Sequence, residues 1–350
     1  MKTIRDIDVK GKTALVRVDY NVPISKGKVT SDLRIRASLP TINYLIENGA
    51  KRVILISHLG RPEGKEAPEF TLTPVANTLR KLLPNTKVGL YPLPLPGDTI
   101  PIPKDVKIAL LENLRFDPGE EANDSNFIKN IISSVSADIY VQDGFAVVHR
   151  AHASTDAVKN HLPVYAGLLL EKEVNSLSSA IQDPESPVLV IIGGAKVEDK
   201  QPLIDKFLKS ADHIFVGGKI ASNGYQSTNK KITIATDFDE NAKGEKLDIG
   251  PLSTGELANL ITDAKTIIWN GLLGYAEDPA YATASTITAE LIGEHQSATT
   301  IICGGDTTGF VEELMEAHPN LSYTLVSTGG GAALEFLLGK DLPGLKAISA

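Results

Sequence analysis

VLVIIGGAKVEDK (188–200) is the stretch on which the fold turns. Five consecutive apolar residues, mostly β-branched, read as a strand buried on both faces, the mark of a parallel sheet. Gly193-Gly194 then forms a loop where backbone comes close to a ligand. A helical pattern comes next, with Lys196 and Lys200 four apart, a spacing that sets both ammonium groups on one helix face. A helix N-terminus favours negative charge through its free N–H groups, so strand, glycine turn and helix start together point to an anion site. The spacing G-x-x-x-x-G-K-[ST] is absent, so this is not a P-loop.

Outward from this stretch the same alternation repeats. Short runs such as TALVRV, RVILIS, KIALLE and DIYV in the first half predict strands, as do HIFV, ITIAT, TIIW, TTII and YTLVS in the second. Helical patterns lie between them, among them LPTINYLIENG, SNFIKNIISSVS and DKQPLIDKFLKS. Strands alternating with helices predict parallel α/β sheets. A chain of 350 residues exceeds one ordinary core, so two domains are expected. The first half ends near His161-Leu162-Pro163, and AGLLLEKEVNSLSSAI predicts one long helix joining the halves.

Composition narrows the function. Hydrophobic content of 42% with 22% charged residues is that of a soluble globular protein. No apolar run is long enough to span a bilayer, and the first residues lack the apolar core of a signal peptide. A net charge of −8 argues against a general nucleic-acid binder. The lone cysteine, Cys303, suits a reducing compartment and reads as strand packing rather than a nucleophile. All nine arginines lie in the first 150 residues. A planar guanidinium grips carboxylate and phosphate with two donors, whereas lysine is a point charge, so the halves are expected to hold anions differently.

In doubly wound sheets, ligands bind beyond the carboxyl ends of the strands. In the first half the strands run into Asp19-Tyr20-Asn21, His58-Leu59-Gly60-Arg61, Asn113-Leu114-Arg115 and Gln142-Asp143-Gly144. In the second half they run into Gly193-Gly194-Ala195-Lys196, Gly217-Gly218-Lys219, Asn270-Gly271, Gly304-Gly305-Asp306-Thr307 and Gly329-Gly330-Gly331. One set is rich in arginine and histidine, the other in glycine. His149 and His152, three apart, fit a basic patch better than a metal pair. No strand leads into G-x-G-x-x-G, which disfavours a nicotinamide dehydrogenase.

The ordered set RVDYNVP (17–23), SHLGRP (57–62), LLENLRF (110–116), HRAHAST (149–155), GGAKVEDK (193–200), WNG (269–271), GGDT (304–307) and STGGGA (327–332) resembles the phosphoglycerate kinase family over nearly the whole chain. The resemblance implies an α/β fold of two Rossmann-like, doubly wound parallel-sheet domains with an interdomain cleft. A 3-phosphoglycerate-binding domain would span 1–162 with a C-terminal tail of about 337–350. A connecting helix would span 163–181, and a nucleotide-binding domain 182–336. The implied reaction moves a phosphoryl group between 1,3-bisphosphoglycerate and MgADP, giving 3-phosphoglycerate and MgATP. The competing reading is a non-catalytic nucleotide- or anion-binding protein on the same scaffold. A cytoplasmic monomer without nucleic-acid or membrane partners is expected.

The resemblance also implies roles, motif by motif. Asp19 and Asn21 would contact the glycerate, and Arg34 in SDLRIRASLP matches the catalytic arginine. His58, Arg61, Arg115 and Arg150 would hold the phosphate that is not transferred. Lys196 would touch the phosphoryl in flight, and Lys200 the nucleotide phosphates. Gly194, Gly218, Asn270 and Gly305 match nucleotide-binding positions, with Glu277 on the ribose, Thr307 on the phosphates and Asp306 on Mg2+. Gly329, Gly330 and Gly331 would face the transferring group. A carboxylate acceptor is already ionised at neutral pH, so such a site needs positioning and positive charge rather than a general base. If these groups are divided between the halves, chemistry waits for closure.

Three motifs depart from the family pattern: Gly217-Gly218-Lys219-Ile220-Ala221, WNGLLG, and Gln142-Asp143-Gly144-Phe145-Ala146. The segment between Lys219 and ITIAT is also short for a parallel crossover with its helix, and ASNGYQSTNKK is a poor helix former. The wall of the nucleotide pocket is therefore expected to be reduced, and discrimination among purine bases weak.

Overall fold

The computed structural model describes residues 1–349; Ala350, the end of the expected tail, lies outside them. The chain divides into two compact units, Met1–Lys172 together with the residues from Asp341 on, and Glu173–Lys340. The division falls inside the helix Leu168–Gln182.

The first unit is built on a parallel sheet of β1 (Thr13–Arg17), β2 (Arg52–Ile56), β3 (Val88–Tyr91), β4 (Ile108–Leu111), β5 (Ile139–Gln142) and β6 (Val164–Ala166), in the order β3-β4-β2-β1-β5-β6. Central strands are buried along their length because helices cover both faces, which is why they read as unbroken apolar runs. The register aligns Arg17 with Ile56 on one side and Gln142 on the other. The carboxyl ends of β1, β2 and β5 are thus level, and their turns emerge at one edge.

The second unit holds β7 (Val188–Ile192), β8 (His213–Val216), β9 (Ile232–Ile234), β10 (Thr266–Asn270), β11 (Thr299–Cys303) and β12 (Leu325–Val326), in the order β9-β8-β7-β10-β11-β12. Counted within the unit this is 3-2-1-4-5-6, the doubly wound order, and the direction of winding reverses between β7 and β10. Ile192 pairs with Asn270 and Asn270 with Cys303, so the glycine turns after these strands also lie at one level.

Helices occupy the expected stretches with shifted ends. Ser125–Val135 is capped by Asp124, whose carboxylate accepts from the Asn126 N–H. It buries Phe127, Ile128, Ile131, Ile132 and Val135, and Ser136 ends it in the left-handed region at φ 50°. Burying each such side chain contributes about 1.5–3 kcal/mol. The helix Leu33–Glu47 starts ahead of the expected LPTINYLIENG and runs through Pro40, which places Arg34 in its first turn.

Within the two six-stranded sheets, two of the described strands lie outside the predicted set, β3 and β6, and they are the two edges of the first sheet. Edge strands need apolar residues on fewer sides, so VGLY and VYA, each beside a proline, carry little pattern. The crossover from β8 to β9 holds only the five-residue helix Gly218–Ser222. β9 stays half-buried along its length, as an edge strand without a full covering helix does.

Candidate active site

At the carboxyl ends of β1, β2 and β4, polar side chains lock one another in place. Asp19 is buried and accepts from Arg34 Nη1 at 2.6 Å, and it takes the Asn21 N–H on its other oxygen at 3.1 Å. Arg34 Nη1 also reaches the Asn21 carbonyl at 3.3 Å, while Asn21 Oδ1 accepts from the Gly60 N–H at 2.9 Å. Asn113, fully buried, clasps the neighbouring loop: its amide donates to Leu59 O at 2.7 Å and Phe70 O at 3.0 Å. Its oxygen accepts from the Leu59 and Arg115 N–H groups. Arg115 in turn donates Nη1 to Gly60 O at 2.7 Å. Its Nε lies 3.0 Å from Glu121 Oε1 yet is not aligned for a hydrogen bond, so that pair is coulombic.

Guanidinium groups dominate the electrostatics at the histidines here. Burial first, then Arg17, Arg115, Arg150 and Arg34, hold His58 well below the ordinary histidine range. Burial and the same cluster, chiefly Arg115, Arg17 and Arg150, push His152 down to about 4. Four guanidinium groups thus act on one imidazole, with the carboxylates of Asp19, Glu120 and Glu121 among them. Arg150 is half-buried and Arg61 exposed. The patch therefore joins Asp19, Asn21, Arg34, His58 and Arg115 directly, with Arg150 acting on it through its charge, while Arg61 makes no hydrogen bond or ion pair among the described residues. Arg52, which has no motif role, holds the carbonyls of Ile102, Pro103 and Val106.

Sequence reasoning passes over Arg17, although it lies in the quoted RVDYNVP. It is 1% exposed, at the end of an otherwise apolar strand. An arginine in that position needs partners, and that is the available signal. Of the two residues that support it, Ser154 lies inside the quoted HRAHAST without a role of its own there, and Glu120 carries no signal.

The second unit uses backbone instead. Gly193 N–H donates to Asn270 O at 3.0 Å and Gly194 N–H to Leu272 O at 2.8 Å, joining the turns after β7 and β10. A Cβ on Gly193 would stand 2.2 Å from Leu272 O, and one on Gly271, whose φ is +103°, 2.2 Å from Gly193 O. These glycines serve close packing of one turn on another as well as any ligand. Gly218 joins the cluster, with a Cβ there 2.7 Å from Leu272 O. The Gly271 N–H donates to Thr307 Oγ1 at 2.8 Å, which ties the helix Gly305–Ala317 to the end of β10. A Cβ on Gly330 would stand 2.5 Å from Gly305 N, so the helix Gly330–Leu337 starts against the same turn.

The two lysines differ. Lys200 lies in the first turns of the helix Val197–Phe207 and donates to Asn270 Oδ1. Burial holds its ammonium below the usual lysine range, although Cys303, Asp199 and Asp306 act the other way. Lys196 precedes the helix in extended backbone and is exposed, so the two do not share a helix face as the spacing predicts. Asp306 is exposed at the start of its helix and forms no hydrogen bond or ion pair among the described residues. Glu277 is exposed in the loop after β10. Cys303, buried and taken up to about 11 by burial, is strand packing.

A guanidinium patch on one doubly wound unit and a lysine-and-glycine anion cradle on another define the class: a phosphotransferase of two α/β units. The chain belongs to the phosphoglycerate kinase family, whose model, "Phosphoglycerate kinase", matches residues 4–242 and 222–340. The phosphoglycerate kinase of Fervidobacterium nodosum is 39% identical over 399 aligned residues, which cover 99% of this chain and 98% of the relative. That of Coprothermobacter proteolyticus is 39% identical over 393, with the same coverage. Among solved structures, the Coxiella burnetii phosphoglycerate kinase superposes with a TM-score of 0.80 at 32% identity, covering 99% of this chain and 98% of that one. The Pyrococcus horikoshii enzyme gives 0.84 at 27%, covering 100% and 98%. An alignment of 399 residues against a chain of 350 leaves relatives with material that this chain lacks. The two matched pieces meet at 222–242, where the crossover is short.

Proposed function

We propose that this member of the phosphoglycerate kinase family moves a phosphoryl group reversibly between 1,3-bisphosphoglycerate and MgADP, with the first unit holding 3-phosphoglycerate and the second the nucleotide. The observation that carries the assignment of units is the arginine cluster around His58, where four guanidinium groups converge and an anionic substrate would find two-donor forks. Arg115, Arg150 and Arg61 hold the stationary phosphate, and Asp19 and Asn21 orient the glycerate. Arg34, tethered through Nη1 alone, keeps further donors for the reacting carboxyl or phosphoryl group. Lys196, exposed on extended backbone, meets the phosphoryl in flight. Gly194, Gly218, Lys200, Asn270, Gly305 and Thr307 line the nucleotide phosphates, and Gly329, Gly330 and Gly331 supply N–H groups to the equatorial oxygens.

A single uncommitted carboxylate beside phosphates is a donor set that suits Mg2+, so Asp306 would hold the ion together with phosphate oxygens. The bound ion would neutralise charge on the nucleotide phosphates. Glu277 takes the ribose hydroxyls. The five-residue crossover helix leaves little wall for a base, so phosphates and ribose supply most of the nucleotide's hold. A cytoplasmic, monomeric enzyme completes the reading. Among the described residues no helix is long and apolar enough to cross a membrane.

A coupled assay with 3-phosphoglycerate and MgATP tests the activity. Steady turnover that requires both substrates is expected. Tight binding of each without turnover would instead favour a non-catalytic binding protein, a reading that no observation favours.

A further inference from the structure

A chain of buried groups runs from Glu120 through Ser154 and Arg17 to His58. Glu120, fully buried, accepts from the Ser154 hydroxyl at 2.6 Å and from the Ser154 N–H at 3.1 Å. The Ser154 oxygen accepts from Arg17 Nε at 2.8 Å. Arg17 gives Nη1 to the Val18 carbonyl and brings Nη2 to 3.1 Å from His58 Nδ1. A guanidinium nitrogen can only donate, so Nδ1 must accept, and the ring proton of a neutral imidazole must sit on Nε2.

One neighbour opposes this. Asp19 Oδ1 lies 3.8 Å from the same Nδ1 and would attract a proton there. That distance is beyond hydrogen-bonding reach, and Arg34 already engages the Asp19 carboxylate at 2.6 Å. The remaining charged groups facing the ring are Arg115 and Arg150, both of which disfavour an imidazolium. The Arg17 contact is shorter and aims at the lone pair, so it decides the tautomer.

We propose that Arg17, aimed by the Ser154–Glu120 pair, locks His58 as an uncharged Nε2–H donor for the substrate phosphate. Glu120 and Ser154 are then positioning residues, reaching the ligand only through Arg17 and His58. The arrangement supplies a directional donor whose state does not change with pH across the neutral range, beside arginines that do not titrate. The role of the donor rests on the reading of His58 as a substrate-binding residue; the lock itself does not.

The test is long-range 1H–15N correlation of the full-length protein labelled at histidine, with His58 assigned from the signal lost in His58→Gln. One protonated nitrogen, Nε2, is expected, with no titration of His58 between pH 8 and about 5.5, a window that spans the ordinary histidine value. Ser154→Ala should release the lock, producing Nδ1–H or exchange between tautomers and a titration within that window. The 3-phosphoglycerate KM should rise roughly tenfold, the scale of one charge-assisted hydrogen bond, and become pH-dependent. Glu120→Gln should move the spectrum the same way by a smaller amount. An Nδ1–H or imidazolium ring in the wild-type protein at pH 7 would overturn the lock even if neither variant folds, as would an unchanged His58 spectrum in both variants. An Nε2 resonance unmoved by 3-phosphoglycerate would overturn only the donor role.

Discussion

The two proposed anion sites are made of different material. In the first unit the site is side chain on side chain: guanidinium, carboxylate, imidazole and amide groups fix one another through hydrogen bonds of 2.6–3.3 Å. In the second it is turn on turn: glycine backbones pack closely, and the charged groups Lys196 and Asp306 are exposed. The difference reflects the ligands the two units are proposed to take. A small substrate whose distal phosphate never moves is best held by a rigid, preformed set of forks. A phosphoryl in transit must be met by charge that arrives with it, and backbone N–H groups offer many shallow contacts rather than one fixed grip. The confinement of all nine arginines to the first unit is the sequence expression of that division.

The comparison breaks most sharply at Arg34, which belongs to the first unit by location but is assigned transition-state work. Arg34→Ala should lose about 10²–10³ in kcat, the scale of one oxyanion donor. Arg34→Lys should recover little, since a point charge replaces a planar fork only partly. A near-wild-type kcat for the lysine variant would make Arg34 a structural tether of Asp19 and no more.

Gly193→Ala sharpens the claim that the second site is turn on turn. Its Cβ would press on two carbonyl oxygens, at 2.2 Å and 2.4 Å. Overpacking of this kind costs about 1–3 kcal/mol. Thermal unfolding should show that loss, and an unshifted Tm would mean that the turns are free to part.

A smaller effect is expected at Asp306, which has no hydrogen bond or ion pair to lose among the described residues. Asp306→Ala should leave Tm unchanged and weaken the magnesium dependence of ADP binding measured by calorimetry. Identical MgADP affinity in the variant would remove Asp306 from the metal site.

The smallest effect is on stability against pH. His152 has a folded value of about 4 against an unfolded value near 6.5, so the unfolded chain takes up a proton that the folded chain refuses. Its contribution is intact above pH 6.5 and is lost as pH falls toward about 4. His58, lowered in the same direction, adds to the loss. Replacing His152 with Gln should flatten the fall in Tm across that window. An unaltered pH profile would show that burial of His152 carries no such linkage.

Much of this is legible in the sequence, and the reasons are physical. Central strands such as VLVII have to be read as buried because five apolar residues in a row have no solvent face. The turns after them are where a ligand is expected, because that is where a doubly wound sheet is open. The edges β3 and β6 are not legible, since an edge strand needs little apolar pattern. Helix spacing places Lys196 and Lys200 on a common face, but the helix begins one residue too late for that. Motif resemblance names His58 and Arg115. It passes over Arg17, Ser154 and Glu120, because a supporting shell is defined by contacts among distant segments and leaves no spacing to read. The brevity of the segment after Lys219 is plain from residue count alone, and the family match divides there.

The most direct test of a division between a prebuilt binding site and a transition-state site is to measure kcat and KM for Arg150→Ala and Lys196→Ala in one coupled assay. Loss of a contact made equally in ground and transition states raises KM alone, whereas loss of one made only in flight lowers kcat. Arg150→Ala is expected to raise the 3-phosphoglycerate KM with kcat nearly intact. Lys196→Ala is expected to lower kcat by about 10²–10³ with both KM values nearly intact. A collapsed kcat with unchanged KM in Arg150→Ala, or a raised KM with unchanged kcat in Lys196→Ala, would contradict the account.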